Sequence, residues 1–109
     1  MPEPMFPEKS PVRITVLRKL HHTDLMAQYT DPEHPWTMIC QAFEEGQQFT
    51  VSAERPWDPP AGFCGWAWAD IQKLVLGMAR GGPNRFVTCC TDGYRPVLFV
   101  PDKLSEPRT

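Results

Sequence analysis

The sequence predicts an α+β domain: a small, mainly antiparallel sheet of about five strands, with one long and one short helix packed on it. Three observations carry that expectation. Val12, Ile14 and Val16 alternate with Arg13, Thr15 and Leu17, the period of a half-buried strand. From Phe63 to Arg80 apolar residues recur at helical spacing and stop at Gly81-Gly82-Pro83, a terminal glycine followed by a residue that cannot continue a helix. From Arg85 to Val100 two apolar runs flank Asp92-Gly93, the dipeptide preferred in two-residue type I′ turns.

In chain order, residues 1–11 are proline-rich and read as a tail, residues 12–103 as one domain, and residues 104–109 as a second polar tail. After the first strand, Thr23 is the expected N-cap of a short helix, with Asp24 at its positive end and Leu25, Met26 and Tyr29 turned inward. Met38–Phe43 and Gln48–Ser52 read as two strands of a hairpin, turned at Glu44-Glu45-Gly46-Gln47. Pro56, Pro59 and Pro60 mark a connector, which Trp57 supplies with apolar surface to pack down.

On the long helix, 100° steps place Phe63, Cys64, Ala67, Trp68, Ile71, Leu74, Val75, Met78 and Ala79 on one half of the wheel. Trp66 falls on the other half with Asp70, Gln72, Lys73 and Leu76. Asp70 is there a solvent-facing partner for Lys73 at i+3. In the final hairpin a type I′ turn sets Thr91 opposite Tyr94 and Cys90 opposite Arg95. Cys89 and Cys90 then point to opposite faces, so one of them shares a face with Cys64.

Composition narrows the function classes. With 41% hydrophobic and 22% charged residues over 109 positions, the chain is ordinary globular material for one core. A net charge of −2 without clustered Lys or Arg gives no reason to approach a nucleic acid. No stretch is apolar enough to span a membrane, and the N-terminus lacks a secretory h-region, so a cytoplasmic setting is expected. In that reducing compartment Cys40, Cys64, Cys89 and Cys90 are expected as thiols or metal ligands and not as disulfides.

Three stretches, CQAFEEGQQFTV from Cys40, GFCGWAWADI from Gly62 and CCTDGYRPVLF from Cys89, stand in order along the chain. Together they resemble a family of small uncharacterised prokaryotic proteins. Its pattern joins a cysteine before a Gly-Gln or Gly-Asp turn, a cysteine at a Gly-Trp-Ala helix start, and a cysteine before an Asp-containing turn. The resemblance spans most of Ile14 to Val100. It implies that Cys40, Cys64 and Cys90 are the family's cysteines, with Cys89 optional and Gly81-Gly82 also matching, and it supplies no reaction.

If Cys40, Cys64 and Cys90 converge, they form a three-thiolate set suited to zinc or iron, with His21, His22 or His34 as fourth ligand. Spacings of 24 and 26 residues lack the paired C-x-x-C knuckle of structural zinc sites, and the bland alternative is three small core hydrophobes. A second reading makes Cys64, at a helix start that favours thiolate, a redox thiol with Cys90 resolving. A third draws on Trp66, large and apolar on the polar half of its helix: it packs beneath Trp57, contacts a second copy in a homodimer or docks another partner as an accessory domain, or lines a cleft. Arg95, beside Cys90 in the expected register, is either a binder of carboxylate or phosphate or an edge charge. No phosphate-cradling loop, zincin helix or hydrolase elbow is present, so no catalytic class or substrate is indicated.

Overall fold

β1 (Val12–Lys19) forms because its alternation buries Val12, Ile14 and Val16 on one face, and it lies inside the sheet. The computed structural model describes residues 8–34 and 40–104. Over these the fold is α+β: the further elements are α1 (Thr23–Tyr29), β2 (Gln48–Val51), α2 (Gly65–Ala79), β3 (Thr88–Cys89) and β4 (Val97–Lys103). One antiparallel sheet has the order β2-β1-β4-β3. α2 covers one face of it, setting Ala67, Trp68, Ile71, Val75, Met78 and Ala79 against the inward residues of the strands.

Four strands appear among the described residues where about five were expected, because the described part of the expected Met38–Phe43 strand is not a strand. Residues 40–43 are irregular, and Met38 and Ile39 lie outside the described residues. β2 pairs instead with β1, Phe49 opposite Ile14 and Val51 opposite Val12, which puts both β2 apolar side chains on the core face. Gly46, at φ 88°, makes the turn into β2 and donates its N–H to the Val16 carbonyl at 2.8 Å.

α2 ends in a Schellman motif: Gly82 N–H donates to Gly77 O at 2.7 Å and Gly81 N–H to Met78 O at 3.4 Å, with Gly81 at φ 105°. This end is tied down from both sides. Ser10 N–H donates to Ala79 O at 3.0 Å, and Arg80 reaches the Ala53 carbonyl at 2.8 Å. Glu8 pairs with Lys103 at 2.7 Å, so residues 8–11, expected as tail, are bonded to the domain. The connector is held by buried Pro56, whereas Trp57 is half-exposed beneath Arg55, whose guanidinium carbon lies 5.7 Å from the ring centroid.

α1 departs from expectation in two respects. His22 is its N-cap, without a side-chain capping bond, and Thr23 is its first residue. Of the three residues expected inward, Met26 alone is buried; Leu25 and Tyr29 are exposed. No helix among the described residues is long and apolar enough to cross a membrane.

Candidate functional site: a thiol-lined cavity

A cluster of aromatic rings anchors the end of the core near the start of α2. Phe43, buried although its segment is irregular, meets Phe63, Phe99 and Phe49 edge-on, at centroid distances of 4.9, 5.0 and 5.8 Å. Phe63 also touches Phe49 at 4.9 Å, Phe99 at 5.4 Å and Trp68 at 6.0 Å. These rings fix two chain segments that have no sheet partners of their own. Phe43 holds the segment that begins at Cys40, and Lys19 reinforces it by donating its ammonium to the Phe43 carbonyl at 2.7 Å. Phe63 holds the entry to α2, where Cys64 is the N-cap in extended conformation.

The third thiol arrives from the sheet. Cys90 follows β3 and is tied to Val97 at the start of β4: its N–H donates to Val97 O at 3.1 Å, and its Sγ accepts the Val97 N–H at 3.3 Å. The expected type I′ turn is absent, since neither Asp92 nor Gly93 has positive φ. The register is displaced by two residues, Cys89 pairing with Leu98 and Cys90 facing Val97 and not Arg95, which leaves residues 91–96 as a longer loop. A displacement of two preserves the alternation. Cys90 therefore packs against the core, as Cys64 does, while Cys89 is exposed.

The loop is organised by carboxylates. Asp92 accepts the N–H groups of Tyr94 at 3.0 Å and Arg95 at 3.2 Å, and pairs with Arg95 Nε at 3.0 Å. This Asx-type arrangement satisfies the backbone without positive φ and outcompetes the tighter turn. Asp70 of α2 accepts Thr91 N–H at 2.9 Å and Thr91 Oγ1 at 3.2 Å, so it clamps the loop to the helix instead of pairing with Lys73. Leu20 and His22 donate backbone N–H groups to the carbonyls of Pro96 and Tyr94, at 2.9 and 2.8 Å, from the other side.

Between the Cys40 segment, the start of α2 and this loop lies a cavity of about 730 Å³. Cys40, Cys64 and Cys90 all line it, as do Trp66, Asp70 and Arg95. All four cysteines are free thiols. Three of the sites singled out in the sequence are thus brought to one place, together with Trp66 and Arg95. Trp57 and the three histidines are not among the lining residues. Trp66 does not pack beneath Trp57: it is 85% exposed and forms a projecting wall of the cavity. Arg95 is held in the wall by Asp92.

The volume lies within the range of small-molecule sites. Its charged groups, Asp92 with Arg95 and Asp70 with Thr91, are engaged with the loop itself. The remaining wall is largely carbon and sulfur: Ala67, Phe43, Val97, the indole of Trp66 and the three cysteines. Among the described residues, no group of three or more His, Cys, Asp or Glu side chains is arranged to hold a metal ion. Sequence reasoning missed Asp70, Thr91 and Tyr94 as site residues. The one available signal was that Trp66 and Asp70, at i and i+4, share a helical stripe. Compared with known proteins, the chain matches no family model, no curated protein and no solved structure.

Proposed function

We propose that this protein binds a small, predominantly apolar organic molecule in the cavity at the start of α2, with Cys40, Cys64 and Cys90 as the sulfur-bearing part of the wall and Trp66 as its outer face. One observation supports the reading above all. Three thiols far apart in the chain, and a tryptophan 85% exposed, surround a single space of about 730 Å³. A core that merely used cysteine as a small hydrophobe has no need to gather three around an opening, nor to hold an indole out in water beside it. A neutral fluorescent probe, N-phenyl-1-naphthylamine, tests it. Saturable fluorescence enhancement with one site per chain, weakened at least severalfold by Trp66→Ala, is the expected result. Enhancement that never saturates, or that ignores Trp66→Ala, contradicts the reading.

A metal centre of zinc or iron on Cys40, Cys64 and Cys90 is the second reading, favoured by the same convergence of thiols. It requires the sulfurs to be drawn closer together on binding, because no set of three ligand side chains among the described residues is already so arranged. Stoichiometric metal in protein purified without chelator, lost on Cys64→Ser, supports this reading over the first. Three cavity thiols that titrate freely in such a preparation reject it.

A further inference from the structure

We infer that the molecule bound in this cavity carries a positive charge on an apolar body, an organic ammonium being the simplest case; the inference rests on the pocket reading above. Among the described residues, the acidic and basic side chains lining the cavity are Asp70, Asp92 and Arg95. Asp92 and Arg95 form an ion pair with each other at 3.0 Å. Asp70 is held by neutral donors, the Thr91 N–H and hydroxyl, and belongs to none of the ion pairs among the described residues. Among the described residues the lining therefore has one carboxylate in excess. Each carboxylate oxygen carries two lone pairs, and the bonds to Thr91 leave acceptor capacity on Oδ1.

The second element is Trp66. It precedes Asp70 by one helical turn, so the two side chains lie on one stripe of α2, and both line the cavity. An indole face is the best aromatic surface for a cation. A cation with methylene or aryl substituents thus finds a π face and a carboxylate side by side, with carbon and sulfur around the rest of its body. An anionic ligand meets the opposite field and a guanidinium already engaged by Asp92.

Displacement of bound N-phenyl-1-naphthylamine by three probes of similar shape tests the inference: phenyltrimethylammonium, its uncharged counterpart tert-butylbenzene, and benzenesulfonate. Asp70→Asn keeps an oxygen acceptor for Thr91 while removing the charge, and Trp66→Leu alters an exposed side chain, so both are expected to fold, as circular dichroism would verify. Asp70→Asn is expected to weaken phenyltrimethylammonium about fivefold to tenfold, an effect of roughly 1 kcal/mol, while leaving tert-butylbenzene within about twofold. Trp66→Leu is expected to weaken the cation more than the neutral probe, and added salt to weaken the cation alone. If Asp70→Asn leaves phenyltrimethylammonium unchanged, or if benzenesulfonate displaces the dye as well as the cation does in the parent protein, the charge assignment is overturned and the pocket stands. If the dye itself does not bind saturably, the pocket reading falls as well.

Discussion

The two ends of α2 use the same helix and the same sheet to opposite effect. At its C-terminal end Val75, Met78 and Ala79 are wholly buried, two glycines complete the Schellman motif, and hydrogen bonds from Ser10 and Arg80 close the seam. At its N-terminal end the cap residue is a cysteine without a side-chain capping bond, a tryptophan projects outward, and the sheet is met by a loop. One end is sealed by backbone and aliphatic packing. The other is propped open by an aromatic cluster and two carboxylates. Packing that closes completely leaves no room for chemistry, so the difference separates the part of the molecule that holds the fold from the part available to bind.

The comparison breaks or sharpens under substitution. Met78→Ala, at the sealed end, removes a side chain with no exposure and is expected to cost about 2–5 kcal/mol in urea unfolding. Gly82→Ala at the same end places a Cβ 2.7 Å from the Gly77 carbonyl oxygen, a backbone atom with little freedom, and is expected to cost about 1–3 kcal/mol by the same measurement. At the open end, Asp70→Ala removes the Thr91 clamp. With Asp70 exposed, about 1 kcal/mol is expected, together with faster hydrogen exchange at the Thr91 amide. Trp66→Ala is expected to change stability by less than about 0.5 kcal/mol, because the side chain is almost fully solvated. Its mass in solution should also be unchanged. A dimeric parent that becomes monomeric on this substitution would instead assign Trp66 to a contact between copies. Equal losses of stability at the two ends would erase the distinction drawn between them.

Much of the sealed end was legible in the sequence, since periodicity alone assigns Ile71, Val75 and Met78 to the buried side and Gly81-Gly82 to the helix stop. The cavity was legible in part. Alternation along the last hairpin separates Cys90 from Cys89 whatever the turn, because the displacement of two residues conserves faces. What the sequence did not disclose depends on long-range choices. β2 pairs with β1 across the chain and not with its immediate predecessor, a preference decided by burying Phe49 and Val51. The loop after Cys90 is set by the Asp92 side chain competing with the backbone for the N–H groups of Tyr94 and Arg95. Asp70 is exposed, as the helical wheel indicates, but its partner, Thr91, was hidden because it lies 21 positions away. Leu25 and Tyr29 read as inward, since a seven-residue helix carries too short a pattern to separate a buried face from an exposed one.

The central claim, that Cys40, Cys64 and Cys90 border one ligand-accessible space from which Cys89 is excluded, is met most directly by residue-resolved alkylation of the native protein with iodoacetamide, with and without N-phenyl-1-naphthylamine. Slower alkylation of the three cavity thiols on adding the dye, with the rate at Cys89 unchanged, is the expected result. Equal protection of all four thiols, or protection of none while the dye is bound, would contradict it.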